Sequence, residues 1–449
     1  MTTLALLITR FSSVLWALFL PLLLLLGAGV LIFTILAERR ESRRTTQGGG
    51  FRNIKAPLAI SVASKVGTGS VIGVLAAMWR GSDSGVGGEA VVLWALIAMA
   101  FLVPLTYCEV KATQMAGTMP RRFVTKNINA RIATIYAGAL VLLYSFGFVG
   151  FQFTGIQTAL GVISQHWFEI QFTAQQMLFF VIIPMVIITA LIIITRNHGL
   201  FTNVLGSLIG IVVVLYTLVF ILFVAKTLDF ANDYVQAIWT DFCRFRTAAT
   251  GIPIGLVLAF QRIIQTSETV LGTSAMAASD RRNGPRGEAR IQVMATLITL
   301  FIAMVITSYV YIYGREHFPD VMLTANGVQR VQGYITTLYR VTGPFGLAVI
   351  LIYFLLSGYC TVLGSYHFVN TTLRLQSHQK IVLYLGLITL SGLLSLSHFS
   401  MIFDFVDLLM FLVGAIFIVA LFRDAYHRFL GKTQNPSGSE NEDTPRSHP

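Results

Sequence analysis

The sequence predicts an all-α integral membrane protein of about eleven transmembrane helices, and three observations carry that expectation. Of 449 residues, 55% are hydrophobic and only 12% charged, and the mean hydropathy is +0.73. A soluble domain carries roughly 25% charged residues, so about half of the usual polar coat is missing. The apolar residues gather in runs long enough to cross a bilayer, which takes about 20 residues of helix. Eleven spans of about 22 residues occupy roughly 240 positions, close to the hydrophobic fraction. Basic residues sit in the short stretches between these runs. A soluble enzyme with one anchor is excluded, as are a disordered chain and a disulfide-framed secreted protein.

The spans fall near 14–37, 55–79, 91–110, 132–163, 174–195, 199–226, 250–279, 291–314, 343–373, 381–398 and 400–423. The first is longer than a signal-peptide core and lacks a small-residue cleavage site, so it stays as a helix of the mature protein. With it set aside, ten spans divide into two sets of five, and each set opens with a polar, glycine-interrupted span. One reads Ser64-Lys65-Val66-Gly67-Thr68-Gly69-Ser70, and the other Gln265-Thr266-Ser267-Glu268-Thr269-Val270-Leu271-Gly272. Interrupted helices at corresponding places in two halves point to an inverted-repeat transporter. Five is odd, so the second half enters the membrane from the opposite face. The expected organisation is an extra helix and basic cytoplasmic loop over 1–53, a first repeat over 54–227, a second over 228–430, and a disordered polar tail over 431–449.

The net charge of +12 suggests nucleic acid only until the charges are placed. Of the 32 Lys and Arg residues, 22 fall in the ends and loops on one side, 8 on the other, and Lys65 and Arg262 inside spans. Positive residues concentrate on the cytoplasmic side, which predicts an external N-terminus and a cytoplasmic C-terminus in the cell membrane. No basic surface interleaved with aromatics is left over to read nucleic acid, and the 33 Phe residues are lipid and core filling. The three cysteines, Cys108, Cys243 and Cys360, are too scattered for a disulfide or zinc framework. No phosphate loop, HExxH or CxxC occurs, which argues against primary active transport and points to no enzymatic cofactor.

The chemistry concentrates at the breaks. Unpaired backbone groups in hydrocarbon cost several kcal/mol each, so an unwound segment persists only beside protein or a lined cavity. A half-helix N-terminus there offers N–H groups and partial positive charge to a carboxylate, and unwound carbonyls can ligate sodium. The competing reading is that Gly67, Gly69 and Gly73 merely permit close helix packing. Lys65 and the neighbouring hydroxyls favour a site.

The run KVGTGSVIGV from Lys65 to Val74 resembles the glycine-rich signature of the alanine or glycine:cation symporter family, usually close to RVGTGNIAGVA. Trp94 and Glu109 keep the spacing of that family's tryptophan and membrane glutamate. Gln152-Phe153-Thr154-Gly155-Ile156 resembles its QSNSI segment at Gln152 and Ile156. Arg262, Glu268 and Leu271-Gly272-Thr273 follow RGIFSNEAGLGS, and Cys360-Thr361-Val362-Leu363-Gly364 resembles TTILG. Asp404 and Met410 keep the spacing of the family's D…NGLM. The matches run in order from about residue 20 to 415.

The resemblance implies a LeuT-like fold of five plus five inverted helices with an extra first helix, and sodium-coupled uptake of a small neutral amino acid, alanine or glycine. It places substrate among Gly67, Thr68, Gly69, Ser70, Gln152, Thr154, Ser267 and Thr269. It places sodium at Val66, Gly69, Cys360 and Thr361. Glu109, Arg262 and Glu268 become coupling or gating residues. Several positions depart from the pattern: Ser70, Thr154 and Ser267 stand for asparagine, Val270 for glycine, and Cys360 for threonine, although sulfur is a poor sodium ligand.

Buried charge in a bilayer is costly and tends to mark function. Glu268 reads as a partner for freed N–H groups or a coupling residue, and Glu109 as a gate or an anchor for a basic loop. Asp404 and Asp407, three apart on one helical face, read as a solvated outer lip. His367 reads as a packed polar residue. Proton-coupled uptake through Glu268 or Glu109 remains the alternative within transporters. A membrane-embedded enzyme needs a nucleophile and base that do not converge here, and a sensor needs an output domain larger than the tail.

Overall fold

The computed structural model describes residues 2–42, 54–83, 88–195, 198–244, 252–278, 283–323, 329–396 and 399–431. Residues 43–53 of the basic loop, with Arg43, Arg44 and Arg52, lie outside the described residues, as do Arg281, Arg282 and the tail from 432 onward. The described chain is helical from end to end. In order come α1 (Thr2–Ser42), α2 (Lys55–Lys65), α3 (Thr68–Asp83), α4 (Val91–Met115), α5 (Pro120–Asn127) and α6 (Ala130–Phe168). Then follow α7 (Ala174–Ile194), α8 (His198–Lys226), α9 (Phe230–Cys243), α10 (Ile254–Ser267), α11 (Thr273–Ala277) and α12 (Gly284–His317). The chain closes with α13 (Gln329–Thr372), α14 (Ser377–Ser395) and α15 (Phe399–Phe429).

Among the described residues, eight helices are long and apolar enough to span a membrane alone, and a ninth is the pair α2 and α3, bent by 43°. The two other expected spans are α14, only 19 residues with a polar first turn, and α10 with α11, separated by the second break. Both are short for physical reasons: the second span is interrupted by design of its glycine and polar residues, and α14 starts with Ser377-His378-Gln379-Lys380.

Local chemistry sets the ends and bends. Asn129 caps α6 by accepting from the Ile132 N–H at 2.8 Å, and Thr173 with Gln176 forms a capping box for α7. Short π turns interrupt α6 at Leu143–Gly147, α7 at Leu178–Ile182 and α12 at Phe301–Ile306. Helix α13 is two helices joined at Gly343, whose φ of 75° precedes Pro344 and bends the axis where the ladder is cut.

The two broken spans lie at the centre. Nearly every residue from Pro57 to Trp79 is buried or half-buried, while outer helices present apolar side chains such as Leu25, Leu191 and Val382 outward, the face a bilayer covers. Helix α1 packs along α15: Trp16 Nε1 donates to the Asp407 carbonyl at 3.0 Å, and the Phe33 ring lies against Phe422 and Phe429. Helices α6 and α13 flank the first break. The α6–α3 approach depends on Gly155, where a Cβ would stand 2.5 Å from Thr68 Cβ.

Gly155→Val therefore forces α6 off the first break. The expected outcome is a collapse in the yield of monodisperse protein after detergent extraction, read by size-exclusion chromatography beside the wild type.

Candidate functional site

At the first break α2 ends with Lys65, Val66 leaves helical geometry at ψ 77°, and α3 restarts at Thr68. The last carbonyls of α2 and the first N–H groups of α3 lack intrahelical partners. Side chains from α6 and α13 meet them. Gln152 Oε1 accepts from both the Thr68 N–H and the Thr68 hydroxyl at 2.8 Å, while Gln152 Nε2 donates to the Phe148 carbonyl at 3.1 Å. Ser70 donates its hydroxyl proton to the Gly67 carbonyl at 2.7 Å. Thr361 Oγ1 lies 3.3 Å from the Ala63 carbonyl and 3.1 Å from the Ser357 carbonyl. Gly67 is required by proximity, because a Cβ there meets Thr361 Oγ1 and stands 2.7 Å from Gln152 Oε1.

The second break folds through three positive φ angles, Glu268 at 55°, Val270 at 66° and Gly272 at 87°. The left-handed region suits Gly272 but strains the β-branched Val270. The surrounding helices hold it there. Glu109 Oε2 on α4 accepts the Val270 N–H at 2.7 Å, and Tyr136 on α6 donates to the Leu271 carbonyl at 2.6 Å. A Cβ on Gly272 would collide with that same Tyr136 hydroxyl. Ser267 Oγ donates to Thr269 Oγ1 at 2.8 Å, and Thr269 pairs with Thr106 Oγ1 on α4 at 2.6 Å.

Two sets of contacts join the breaks. On one side Lys65 Nζ donates to Ser274 Oγ at 3.0 Å and Thr296 Oγ1 at 3.1 Å, and Ser64 Oγ donates to Glu268 Oε2 at 3.3 Å. On the other, Gln265 Nε2 reaches the Gly69 carbonyl at 3.4 Å, and Arg262 donates to Gln265 Oε1 at 2.6 Å. One guanidinium nitrogen of Arg262, Nη2, then donates to both carboxylate oxygens of Asp407, at 2.6 and 2.7 Å. Arg80 of α3 reaches Asp404 at 2.8 Å and Asp407 at 3.3 Å. Both guanidiniums lie over the Phe403 ring, at 4.5 and 4.6 Å from its centroid.

The expected site residues are buried without exception, and most converge. Val66, Gly67, Thr68, Gly69, Ser70, Gln152 and Thr361 meet at the first break, and Cys360 lies next to Thr361 as a buried free thiol. Ser267 and Thr269 turn to one another and to α4 rather than to Gln152. Thr154 lies two residues from Gln152, about 200° around the helix. It lines a separate cavity of about 510 Å³ with Gln157, Thr158, Gln332 and Ser395.

Two assignments change. The freed Val270 N–H goes to Glu109, not Glu268, which instead faces Ser64 and Lys65. Asp404 and Asp407 are not a solvated lip: they are 3% and 1% exposed and hold the two arginines. A lone arginine in an apolar span requires a counter-charge, so Arg262 was the signal that could have located Asp407. Gln265, Tyr136 and the Ala63 carbonyl carried no such signal. His367 packs beside the Met276 carbonyl at 3.4 Å, as expected of a polar core residue.

Similar proteins can now be set beside this geometry. A family model described as the sodium:alanine symporter family matches residues 1–427. The amino-acid carrier protein AlsT of Bacillus subtilis is 24% identical over 405 residues, covering 87% of this chain and 80% of that protein. A probable sodium/glutamine symporter, GlnT, of the same organism is 22% identical over 377 residues, covering 81% and 74%. An uncharacterized transporter of Haemophilus influenzae is 21% identical over 434 residues, covering 89% and 84%. Among solved structures, the substrate-bound outward-open state of a Na+-coupled sialic acid symporter aligns with a TM-score of 0.52 at 14% identity, over 87% of this chain and 79% of the other. That likeness shows the LeuT-like fold.

Val270→Gly removes what is, among the described residues, the one β-branched residue in a left-handed conformation. The side chain is buried, so truncation also costs packing. Val270→Ala and Val270→Gly share that loss, and only glycine relieves about 1–2 kcal/mol of backbone strain against roughly 0.5–1 kcal/mol of added chain entropy. The expected result is a thermal midpoint for Val270→Gly at or above that of Val270→Ala, read by the temperature dependence of monodispersity in detergent; a lower midpoint for glycine than for alanine contradicts the strain.

Proposed function

Because the chain belongs to the sodium:alanine symporter family, we propose that it is a secondary transporter coupling sodium entry to uptake of a small neutral amino acid, alanine or glycine, by alternating access. The observation that carries this reading is the first break, where a glycine-gated gap in a central helix is bordered by Gln152 from α6 and Thr361 from α13. The names of AlsT and GlnT, an amino-acid carrier and a probable sodium/glutamine symporter, support the substrate class and the ion.

On this reading sodium binds among hard oxygens at the end of α2, from the Ala63 and Val66 carbonyls and Thr361 Oγ1. Hydroxyl and carbonyl oxygens suit a hard cation, and the Cys360 thiol contributes little. Sodium fixes the end of α2 and, through it, Gly67–Ser70. The amino acid then sits between the two breaks, with Gln152 and the Gly69 backbone on one side and Ser267–Thr269 closing the other. Exposure to one face requires parting the Lys65 and Glu268 contacts, and to the other the Arg80 and Arg262 contacts, so the two faces open in turn. The repeats at 54–227 and 228–430 supply the moving bundle and its frame, with the N-terminus outside and the C-terminus in the cytoplasm. Neither covalent intermediate nor enzymatic cofactor enters the cycle.

Proton coupling is the second reading. Cys360 in place of a hydroxyl weakens the sodium site, and Lys65, Glu109 and Glu268 bury ionisable groups between the breaks.

Purified protein in liposomes decides between them. Labelled alanine or glycine accumulates under an inward sodium gradient at constant pH on the first reading, and under a proton gradient without sodium on the second. Gly69→Leu abolishes accumulation with membrane insertion intact, since its side chain enters a space where a Cβ already lies 3.2 Å from Gln152 Nε2. Undiminished uptake by that variant sinks the placement of the site.

A further inference from the structure

Helix α13 brings a second set of polar groups to the first break. Tyr353, Ser357 and Thr361 recur every four residues and so share one helical face. Thr361 faces α2, as its contact with the Ala63 carbonyl shows. Gly358, beside Ser357, packs so closely on α6 that a Cβ there would stand 2.8 Å from Ile156 Cδ1, with Gln152 Cβ next at 3.5 Å. Tyr353 faces Ser70 of the break. The face therefore forms a wall of the region where the proposed substrate sits.

Ser357 Oγ on that wall has no hydrogen-bond partner, and Tyr353 OH has only the Ser70 hydroxyl, outside good hydrogen-bond geometry; both residues are fully buried. Buried polar groups are almost always satisfied, and an unsatisfied one calls for an explanation. The tyrosine is also held still. Its ring stacks on Tyr216 with centroids 4.0 Å apart and meets Phe354 edge-on at 5.7 Å, and the Tyr216 hydroxyl is itself paired with Tyr334. A fixed aromatic ring whose donor is engaged only by Ser70 is preorganised to exchange it for an acceptor that arrives from outside the protein.

Other side-chain donors at the break are taken. Gln152 already takes the Thr68 N–H, and the Ser70 proton goes to the Gly67 carbonyl. Lys65, the cation in the first broken span, is committed to Ser274 and Thr296. A carboxylate reaching the break thus finds these nearby donors engaged within the protein, and the hydroxyls of α13 available.

We propose that Tyr353, with Ser357 one turn on, donates hydrogen bonds to the carboxylate of the amino-acid substrate and sets the preference for a free carboxylate. This rests on the amino-acid transport reading above. The competing role is packing: the tyrosine would serve only as a ring, and its hydroxyl would be a cost that phenylalanine does not carry.

The test is Tyr353→Phe, which keeps the ring stack and removes only the donor. In sodium-driven liposome uptake of labelled alanine, KM rises about tenfold, the size of one hydrogen bond to a charged group, with the thermal midpoint unchanged or raised. Competition by alaninol, which has a hydroxymethyl group in place of the carboxylate, improves relative to alanine by a similar factor. Ser357→Ala moves KM in the same direction and less. A wild-type KM and wild-type discrimination in Tyr353→Phe overturn the proposal while leaving the transport reading standing. Failure of the wild-type protein to accumulate any small neutral amino acid overturns both.

Discussion

A helix cut inside a membrane leaves backbone donors and acceptors that lipid cannot satisfy, and this protein is organised around meeting that requirement twice. At the first break Gln152 and Thr361 reach in from intact helices, and at the second Glu109 and Tyr136 do. Each unmet group would cost several kcal/mol in hydrocarbon. The intact helices α4, α6 and α13 are thereby tied to the broken ones through few, specific contacts. Few contacts matter, because a segment held by a handful of hydrogen bonds can exchange them for those of an ion or a substrate. A continuous helix cannot.

The ionic groups fit the same requirement. Arg262 and Asp407 are both 1% exposed, and a buried ion pair is tolerated only where geometry and further hydrogen bonds offset desolvation. Here the contact of one guanidinium nitrogen with both carboxylate oxygens, Gln265 and the Phe403 ring supply them. The pair also connects a peripheral helix, α15, to the Gly69 carbonyl through Gln265. Lys65 occupies the corresponding position on the opposite side, bridging the end of α2 to α11 and α12. The two broken spans are thus fastened above and below the site by different chemistry, an arginine–aspartate cluster on one side and a lysine with hydroxyl partners on the other.

How much of this is legible in the sequence depends on the residue. The break at Gly67–Ser70 is readable because glycine and hydroxyl residues interrupt an apolar run, and Gln152 and Thr361 through the family resemblance. The left-handed turn at Val270 is not readable, since a β-branched residue advertises the opposite conformation and only Glu109 and Tyr136, more than 130 residues away in sequence, explain it. Asp407 looks like an end-of-span residue until its distance to Arg262 is known. Span number is legible only in part, because α14 begins with a polar turn and α10 is cut at Ser267. Thr154 shows the limit of motif matching: position along the sequence does not report the helical face. Tyr353 gave no sign at all, since the place of its hydroxyl beside Ser70 and of its ring on Tyr216 exists only in the fold.

The first break, with α13 beside it, is the place proposed for ion and substrate. An experimental density map of the protein in sodium and alanine tests it directly. The expected map has an ion against the Ala63 carbonyl and Thr361 Oγ1, with the amino acid between the two breaks and within reach of Gln152. Substrate density confined to the cavity beside Thr154, with the first break unchanged and no ion at Thr361, contradicts it.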